Sequence, residues 1–185
     1  GSLLGLSKPD PSRLLLLDEQ AGLRLRVEVR LDPVEPVAIW QLELENREDR
    51  PRRLELTSLR ELALDDPDAL RRHPRLSALY VATRFVAPLA AILAQDRRKR
   101  GRGGANGRGP LAYHAVCVGD DPRIRLTGYE DSRTRFVGGG SIAAPRALVE
   151  GRARPVDDEG LLHTFDPCAS LRLAIDLEAR GRASL

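Results

Sequence analysis

Hydrophobic and polar residues alternate with a period of two along most of this chain. The clearest run spans residues 23–31, where leucine and valine alternate with arginine and glutamate. Similar runs occupy residues 40–44 and 171–177. Because successive side chains of a β-strand point to opposite faces of the sheet, this pattern predicts strands with one buried face and one charged face.

Polar segments rich in turn-forming residues separate the alternating runs. Residues 46–51 form one such turn, and residues 65–74 form a connection that includes a helical turn at 68–71. Pro145 opens another helical turn, and residues 133–137 alternate as a further strand. Many short strands without a long helix predict an all-β fold, an antiparallel β-sandwich with at most a few short helical turns.

The length of 185 residues fits one domain of ordinary size. We expect a lead-in strand in residues 1–22, preceded by a Gly1-Ser2 pair typical of a cloning remnant, and a single sandwich in residues 23–185. The net charge of +3 is local, since six lysines and arginines lie within residues 97–109. This glycine- and arginine-rich insertion lacks the apolar residues needed to order itself and is predicted to be disordered.

The residue types that bind metals and cofactors are scattered. Cys117 and Cys168 lie in or beside predicted strands and are expected to be buried thiols. The three histidines stand alone, without metal-ligand spacing, so we expect neither a metal nor a cofactor. No apolar run reaches the ~18 residues of a transmembrane helix. The default expectation is a cytoplasmic domain without membrane contact.

Several segments resemble one family when they are taken in order. Residues 132–148 contain R-F-V-G followed by P-R-A-L, and residues 39–58 contain W-Q-L-E-L-E-N and R-L-E-L-T-S. Residues 73–83 read H-P-R-L-S-A-L-Y-V-A-T, and a D-P pair at 166–167 precedes the last long strand. Together they are similar to the N-terminal β-sandwich of cellobiose phosphorylases, chitobiose phosphorylases and cyclic β-1,2-glucan synthases of glycoside hydrolase family 94.

This resemblance implies a galactose-mutarotase-like supersandwich that is not itself catalytic. Family members keep their catalytic acid in a separate helical barrel, which this chain lacks. The expected role is to support that barrel or to hold a β-glucan or oligosaccharide beside it, and a homodimer is left open. One alternative is a fragment of an enzyme with glycosyl-transfer or phosphorylase activity. A second is an interaction module that binds nucleic acid or acidic partners through the Arg-Gly insertion.

The resemblance also assigns candidate sugar-binding residues: Arg133, Arg135, Phe136 and Gly138. If residues 133–137 form a strand, both arginines lie on the solvent face and Phe136 anchors the segment in the core. Arginine can donate two hydrogen bonds to vicinal hydroxyls, and glycine permits the turn. The later arginines of the family loop are absent here, because Gly139 and Ser141 stand in their place.

Other candidate chemistry is weaker. Acidic clusters at 120–121, 130–131 and 157–159 could suggest glycosidase carboxylates, but we interpret all three as hydrophilic turns. The three glycines at 138–140 lack the following helix of a phosphate-binding loop, and we interpret them as a loop tip. Trp40 could stack on a sugar, but it shares the phase of Leu42 and Leu44 and is predicted to lie in the core.

Overall fold

A computed structural model describes residues 3–98, 110–157 and 161–185 of the chain. These residues form mostly strands with four short helices, and every strand pairing whose register is described is antiparallel, which confirms the predicted all-β class. The strands are β1 (Leu3–Asp10), β2 (Arg13–Gln20), β3 (Leu23–Leu31), β4 (Ala38–Asn46), β5 (Arg52–Glu61), β6 (Val81–Val86), β7 (Ala91–Asp96), β8 (Leu111–Ala115), β9 (Ile124–Ser132), β10 (Leu161–His163), β11 (Pro167–Leu177) and β12 (Arg182–Ser184). The helices are α1 (Pro67–Arg72), α2 (Pro74–Ala78), α3 (Arg133–Val137) and α4 (Arg146–Val149).

The strands form three sheets, with the orders β1-β2-β3-β4-β12, β10-β6-β7-β8 and β5-β11-β9. The described residues divide into two compact units. Unit 1 contains the described residues up to Glu55 together with Val118–Arg125 and Ala174–Leu185. Unit 2 contains the described residues of Leu56–Cys117 and Leu126–Leu173. The segment expected to hold one lead-in strand contains two, β1 and β2, which pair with each other.

In unit 1 the period-two alternation becomes a five-stranded sheet with one apolar face and one charged face. Val27 and Leu44 are buried on the apolar face. On the charged face Glu28 is only 2% exposed, because Arg13, Arg26 and Arg30 surround its carboxylate. The hydrogen bonds from Arg13 and Arg30 lower the pKa of Glu28 to about 2.

The prediction that Trp40 lies in the core is wrong. Trp40 faces Val29 across the β3–β4 pair and lies on the same face as Leu42 and Leu44, as the alternation requires. Its side chain is nevertheless 43% exposed, because burial along β4 decreases toward the start of the strand. Alternation therefore predicts the face of the sheet on which a side chain lies, but not how deeply that side chain is buried.

The core of unit 2 forms around two aromatic rings. Phe85 on β6 and Tyr129 on β9 stack with their ring centroids 4.3 Å apart and their planes 10° from parallel. Ile92, Ala169 and Leu171 complete the buried cluster. Stacking of this kind adds to the free energy gained from burying apolar area.

The two cysteines are free thiols in different environments. Cys168 is fully buried in β11, and burial raises the pKa of its thiol. Cys117 is exposed, so the prediction of a buried thiol is wrong at this position. It lies two residues after the end of β8 and continues the alternation of that strand, in which residues 111, 113, 115 and 117 are all exposed.

The basic insertion predicted at residues 97–109 lies largely outside the described residues, which resume at Pro110. Its second arginine is described and is anchored rather than solvated. Arg98 contacts Asp96 at 2.8 Å and Asp65 at 2.5 Å, and its guanidinium lies 4.4 Å from the centroid of the Tyr80 ring. The hydrogen bonds that Arg98 donates to the Asp96 carboxylate are the main cause that raises the pKa of Arg98.

Candidate functional site

The segment predicted as a strand at residues 133–137 is the helix α3, so the prediction is wrong. The Ser132 hydroxyl accepts a hydrogen bond from the backbone N–H of Arg135 at 3.4 Å, which caps the helix. Gly138 ends it with φ +58° and ψ −135°. A capping serine, a single turn and a glycine with positive φ favour a helical turn over an extended strand here.

The helical geometry separates the two arginines that alternation would place on one face. Arg133 ion-pairs with Glu61 at 2.9 Å and lies 3.6 Å from Asp166. Arg135 turns instead to Glu130 and Asp131. The two guanidiniums therefore belong to different ion-pair networks.

Phe136 and Gly138 have the structural properties that the sequence predicts. Phe136 is 3% exposed and anchors α3 in unit 2. A Cβ atom on Gly138 would lie 2.8 Å from the Cβ of Arg146, closer than real Cβ contacts allow. The absence of a side chain at Gly138 therefore lets α3 and α4 approach each other.

The interpretation of Glu130 and Asp131 as a hydrophilic turn is wrong. Both lie near the end of β9, where Glu130 is 8% exposed and Asp131 is completely buried. Asp131 accepts hydrogen bonds from the Thr83 hydroxyl at 3.0 Å and from Nη2 of Arg135 at 2.8 Å. Nη1 of Arg154 lies 3.5 Å from the same carboxylate. The Thr83 hydroxyl and the guanidiniums of Arg135 and Arg154 compensate the buried charge, which allows the acidic residues to occupy this strand.

The electrostatics of this group follow from burial and from its ion pairs. Burial raises the pKa of Asp131 above its ordinary value, although Thr83 and the arginines oppose that shift. Burial acts to lower the pKa of Arg135, but Glu130 and Asp131 outweigh it and raise the pKa. Arg135 therefore keeps its positive charge, and about half of its side chain is exposed to solvent.

A short backbone bridge brings a second segment against β9. Tyr129 and Arg154 exchange hydrogen bonds of 3.0 and 2.8 Å through their backbone groups. Gly128 permits this approach, because a Cβ there would lie 2.6 Å from the Cβ of Ala153. The Arg154 guanidinium lies 5.0 Å from the centroid of the Tyr129 ring.

The end of β9, the helices α3 and α4 and residues 150–154 line an open cleft of about 450 Å³ in unit 2, which we call the arginine cleft. Its volume lies within the range of small-molecule sites. Its lining residues are Glu130, Thr134, Arg135, Gly138, Arg146, Ala147, Glu150, Arg152, Ala153 and Arg154.

The wall of the arginine cleft at residues 146–152 is held by ion pairs of Glu150 and by hydrogen bonds from Arg172. Glu150 ion-pairs with both Arg146 and Arg152. Arg172 on β11 is 5% exposed and donates hydrogen bonds to the backbone carbonyls of Ala147 at 2.9 Å and Arg152 at 3.0 Å. The arrangement can present several guanidinium donors and two carboxylate acceptors to one ligand.

The structure brings two of the four predicted site residues, Arg135 and Gly138, into the arginine cleft. Arg133 and Phe136 flank it without lining it. Sequence reasoning missed the other arginines of the cleft and misjudged Glu130. The spacing of Asp131 four residues before Arg135 was the available signal, since a helical turn brings such a pair together.

The remaining acidic candidates that the structure describes do not line the arginine cleft. Asp121 is bound to Arg123 at 2.7 Å, and the acidic residues predicted at 158–159 lie outside the described residues. Among the described residues, no group of three or more histidine, cysteine, aspartate or glutamate side chains could hold a metal ion. No helix in the described ranges is long and apolar enough to cross a membrane.

The comparison with protein families gives a direct result. The family described as "Glycosyl hydrolase 94, supersandwich domain" matches residues 16–185, nearly the whole chain and all of the arginine cleft. No curated protein matches the chain. The match confirms both the resemblance and the β-sandwich of supersandwich type that the sequence predicts. The chain belongs to the glycosyl hydrolase 94 supersandwich domain family, and is thus a domain associated with carbohydrate-active enzymes.

Proposed function

We propose that this domain is a non-catalytic unit of a cyclic β-1,2-glucan synthase-like or glycoside phosphorylase-like protein. In this proposal the arginine cleft contacts a β-glucan beside a helical-barrel catalytic domain. The observation that carries the proposal is the half-exposed Arg135, which is held by Glu130 and Asp131 at the edge of the cleft. The supersandwich family of the chain supports the carbohydrate ligand.

The chemistry of the Arg135 network suits a sugar. Nε and Nη2 of Arg135 are committed to carboxylates, which fixes the plane of the guanidinium. The remaining N–H groups of the Arg135 guanidinium can donate a hydrogen bond to one sugar hydroxyl. The Glu130 carboxylate can accept a hydrogen bond from the adjacent sugar hydroxyl. Because one hydroxyl of a vicinal pair can accept and the other donate, a fixed arginine–carboxylate pair matches a pyranose edge.

The test is a titration of the chain with β-1,2-gluco-oligosaccharides, followed by backbone NMR shifts. We expect shifts confined to residues 130–154 at millimolar sugar, where even ~4 kcal/mol of binding free energy is detectable. Arg135→Lys keeps the charge but loses the fork, and should abolish the shifts. Arg123→Lys is the matched control, because Arg123 also pairs with an aspartate through two nitrogens but lies in unit 1. Unmoved resonances at residues 133–140 would leave the domain a scaffold only.

The alternatives remain predictions. The activity of a parent enzyme would require a helical barrel with a catalytic acid in the same gene. Binding of nucleic acid through the Arg-Gly insertion depends on residues 97–109, of which residues 99–109 lie outside the described residues. This alternative predicts that nucleic-acid binding depends steeply on salt concentration and that deleting residues 97–108 abolishes it.

A further inference from the structure

The arginine cleft carries an excess of positive charge. Its lining contains four arginines against two glutamates, a net charge of +2 within the described part of the chain. Two buried groups contact this lining, Asp131 with a negative charge and Arg172 with a positive one, so the excess is unchanged by them. A neutral ligand does not require such an excess.

One carboxylate is shared by two of the four arginines. Glu150 is the only acidic side chain that the described residues place against both Arg146 and Arg152. Nε of Arg146 donates to Oε1 of Glu150 at 2.5 Å, while Nη2 of Arg152 faces Oε2. Each guanidinium has five N–H donors, so both keep donors beyond this contact. Both side chains are also more than half exposed.

The second observation lies behind the cleft wall. Arg172 is nine-tenths buried, and its described contacts are the carbonyls of Ala147 and Arg152 rather than a carboxylate. Its Nε is buried without a hydrogen-bond partner among the described residues. Burying a guanidinium without a counter-charge is costly, and its field is weakly screened by solvent. Arg172 thus adds positive potential at the wall that Arg146 and Arg152 share.

We propose that the arginine cleft binds a tetrahedral oxyanion, a phosphate or sulfate group that is free or carried on a saccharide. The planar fork of arginine matches the oxygens of such a group, and two forks held by one glutamate can approach it together. Glu150 acts as a positioning residue for the pair. The inference deepens the proposed function and rests on it only for the use of the same cleft.

A groove in unit 1 provides a matched control. This groove, of about 660 Å³, is also lined by four arginines, but it contains three carboxylates. Arg182 in that groove is exposed and paired with Glu45 at 2.9 Å. Substituting Arg182 therefore removes an exposed, ion-paired arginine without touching the arginine cleft.

The experiment is a titration of the full chain with inorganic phosphate at constant ionic strength, followed by NMR shifts. We expect shifts in residues 135–154 and a Kd that rises about tenfold in Arg146→Gln and in Arg152→Gln, since each loses a charge-assisted hydrogen bond. Arg182→Gln should leave the Kd unchanged. Equal weakening in Arg182→Gln, or no shifts at about 10 mM phosphate, where a millimolar site is nearly full, would overturn the proposal.

Two further titrations test whether the phosphate group is free or carried on a saccharide, and whether Glu150 positions the arginines. Tighter binding of glucose 6-phosphate than of phosphate would support a phosphate group carried on a saccharide, and equal binding would support free phosphate. Glu150→Gln adds net positive charge, yet should weaken phosphate binding if Glu150 positions the arginines. A gain in affinity would overturn that positioning role.

The neutral oligosaccharide titration distinguishes this proposal from the proposed function. Shifts with phosphate but not with neutral sugar would contradict the glycan contact and support the oxyanion site. The reverse result would overturn the oxyanion site alone.

Discussion

Gly138 offers the sharpest test of the structure, because its neighbour Gly139 is a built-in control. Gly138 has φ +58° and ψ −135°, a conformation that side chains with a Cβ rarely adopt. An added Cβ would also lie 2.8 Å from the Cβ and 3.1 Å from the Cδ of Arg146. The Arg146 Cβ is tied to the start of α4, so relief requires a movement of the backbone.

The expected magnitude follows from these two effects. Backbone strain of this kind costs about 1–3 kcal/mol, so Gly138→Ala should lower the free energy of unfolding by about 2–3 kcal/mol once the contact with Arg146 is included. For a chain of this length, that corresponds to a fall in Tm of roughly 4–12 °C. Gly139 lies outside the positive-φ region, and a Cβ there would meet nothing within 4 Å. Gly139→Ala should therefore be neutral or stabilise by about 0.4–1 kcal/mol through the unfolded chain.

Urea denaturation of both variants, followed by circular dichroism, measures the difference. The reasoning fails if Gly138→Ala unfolds at the same urea concentration as Gly139→Ala. A second measurement is the Kd for phosphate. Displacement of Arg146 should raise this Kd in Gly138→Ala and not in Gly139→Ala.

Four further outcomes are expected. Phe136→Ala should destabilise the chain by about 3–5 kcal/mol in urea denaturation, because it empties a buried aromatic site. Arg172→Met should cost about 1–3 kcal/mol in the same assay, since two loop carbonyls lose their donor. The ion pairs hold the pKa of Glu28 at about 2, below its ordinary value of 4.5. Its contribution to stability should therefore be complete above about pH 4.5 and be lost as the pH falls through 2. In thermal melts, Glu28→Gln should reduce the fall of Tm over this acidic pH range. Cys117 should react with a thiol reagent in the folded chain and Cys168 only after unfolding; equal reaction rates would contradict the assigned burial.

The local pattern of the sequence was sufficient for the fold class. Period-two alternation depends only on the geometry of a strand, so the run from Leu23 and the run from Leu171 could be recognised as strands without any tertiary information. The helical turn at residues 68–71 was equally local, because Asp66 caps α1 through its own side chain. Ordered motifs along the chain were likewise enough to indicate the supersandwich family.

Tertiary structure decided burial and partnership, which alternation does not contain. Trp40 has the phase of a core residue but lies where the cover of its strand ends. Glu130 and Asp131 read as a solvated turn, yet Arg135 and Thr83 allow them to be buried. A partner such as Thr83 is distant in sequence from Asp131, so the two residues come into contact only in the folded chain.

The arginine cleft shows the same division. Arg135 and Gly138 could be selected from a motif in the sequence, because they lie within one short segment. Arg154 and Arg172 join them only through the Tyr129 bridge and through β11, which are distant in sequence. The sequence by itself therefore determined the strands and the loop, whereas the charge of the cleft depended on long-range contacts that only the tertiary structure forms.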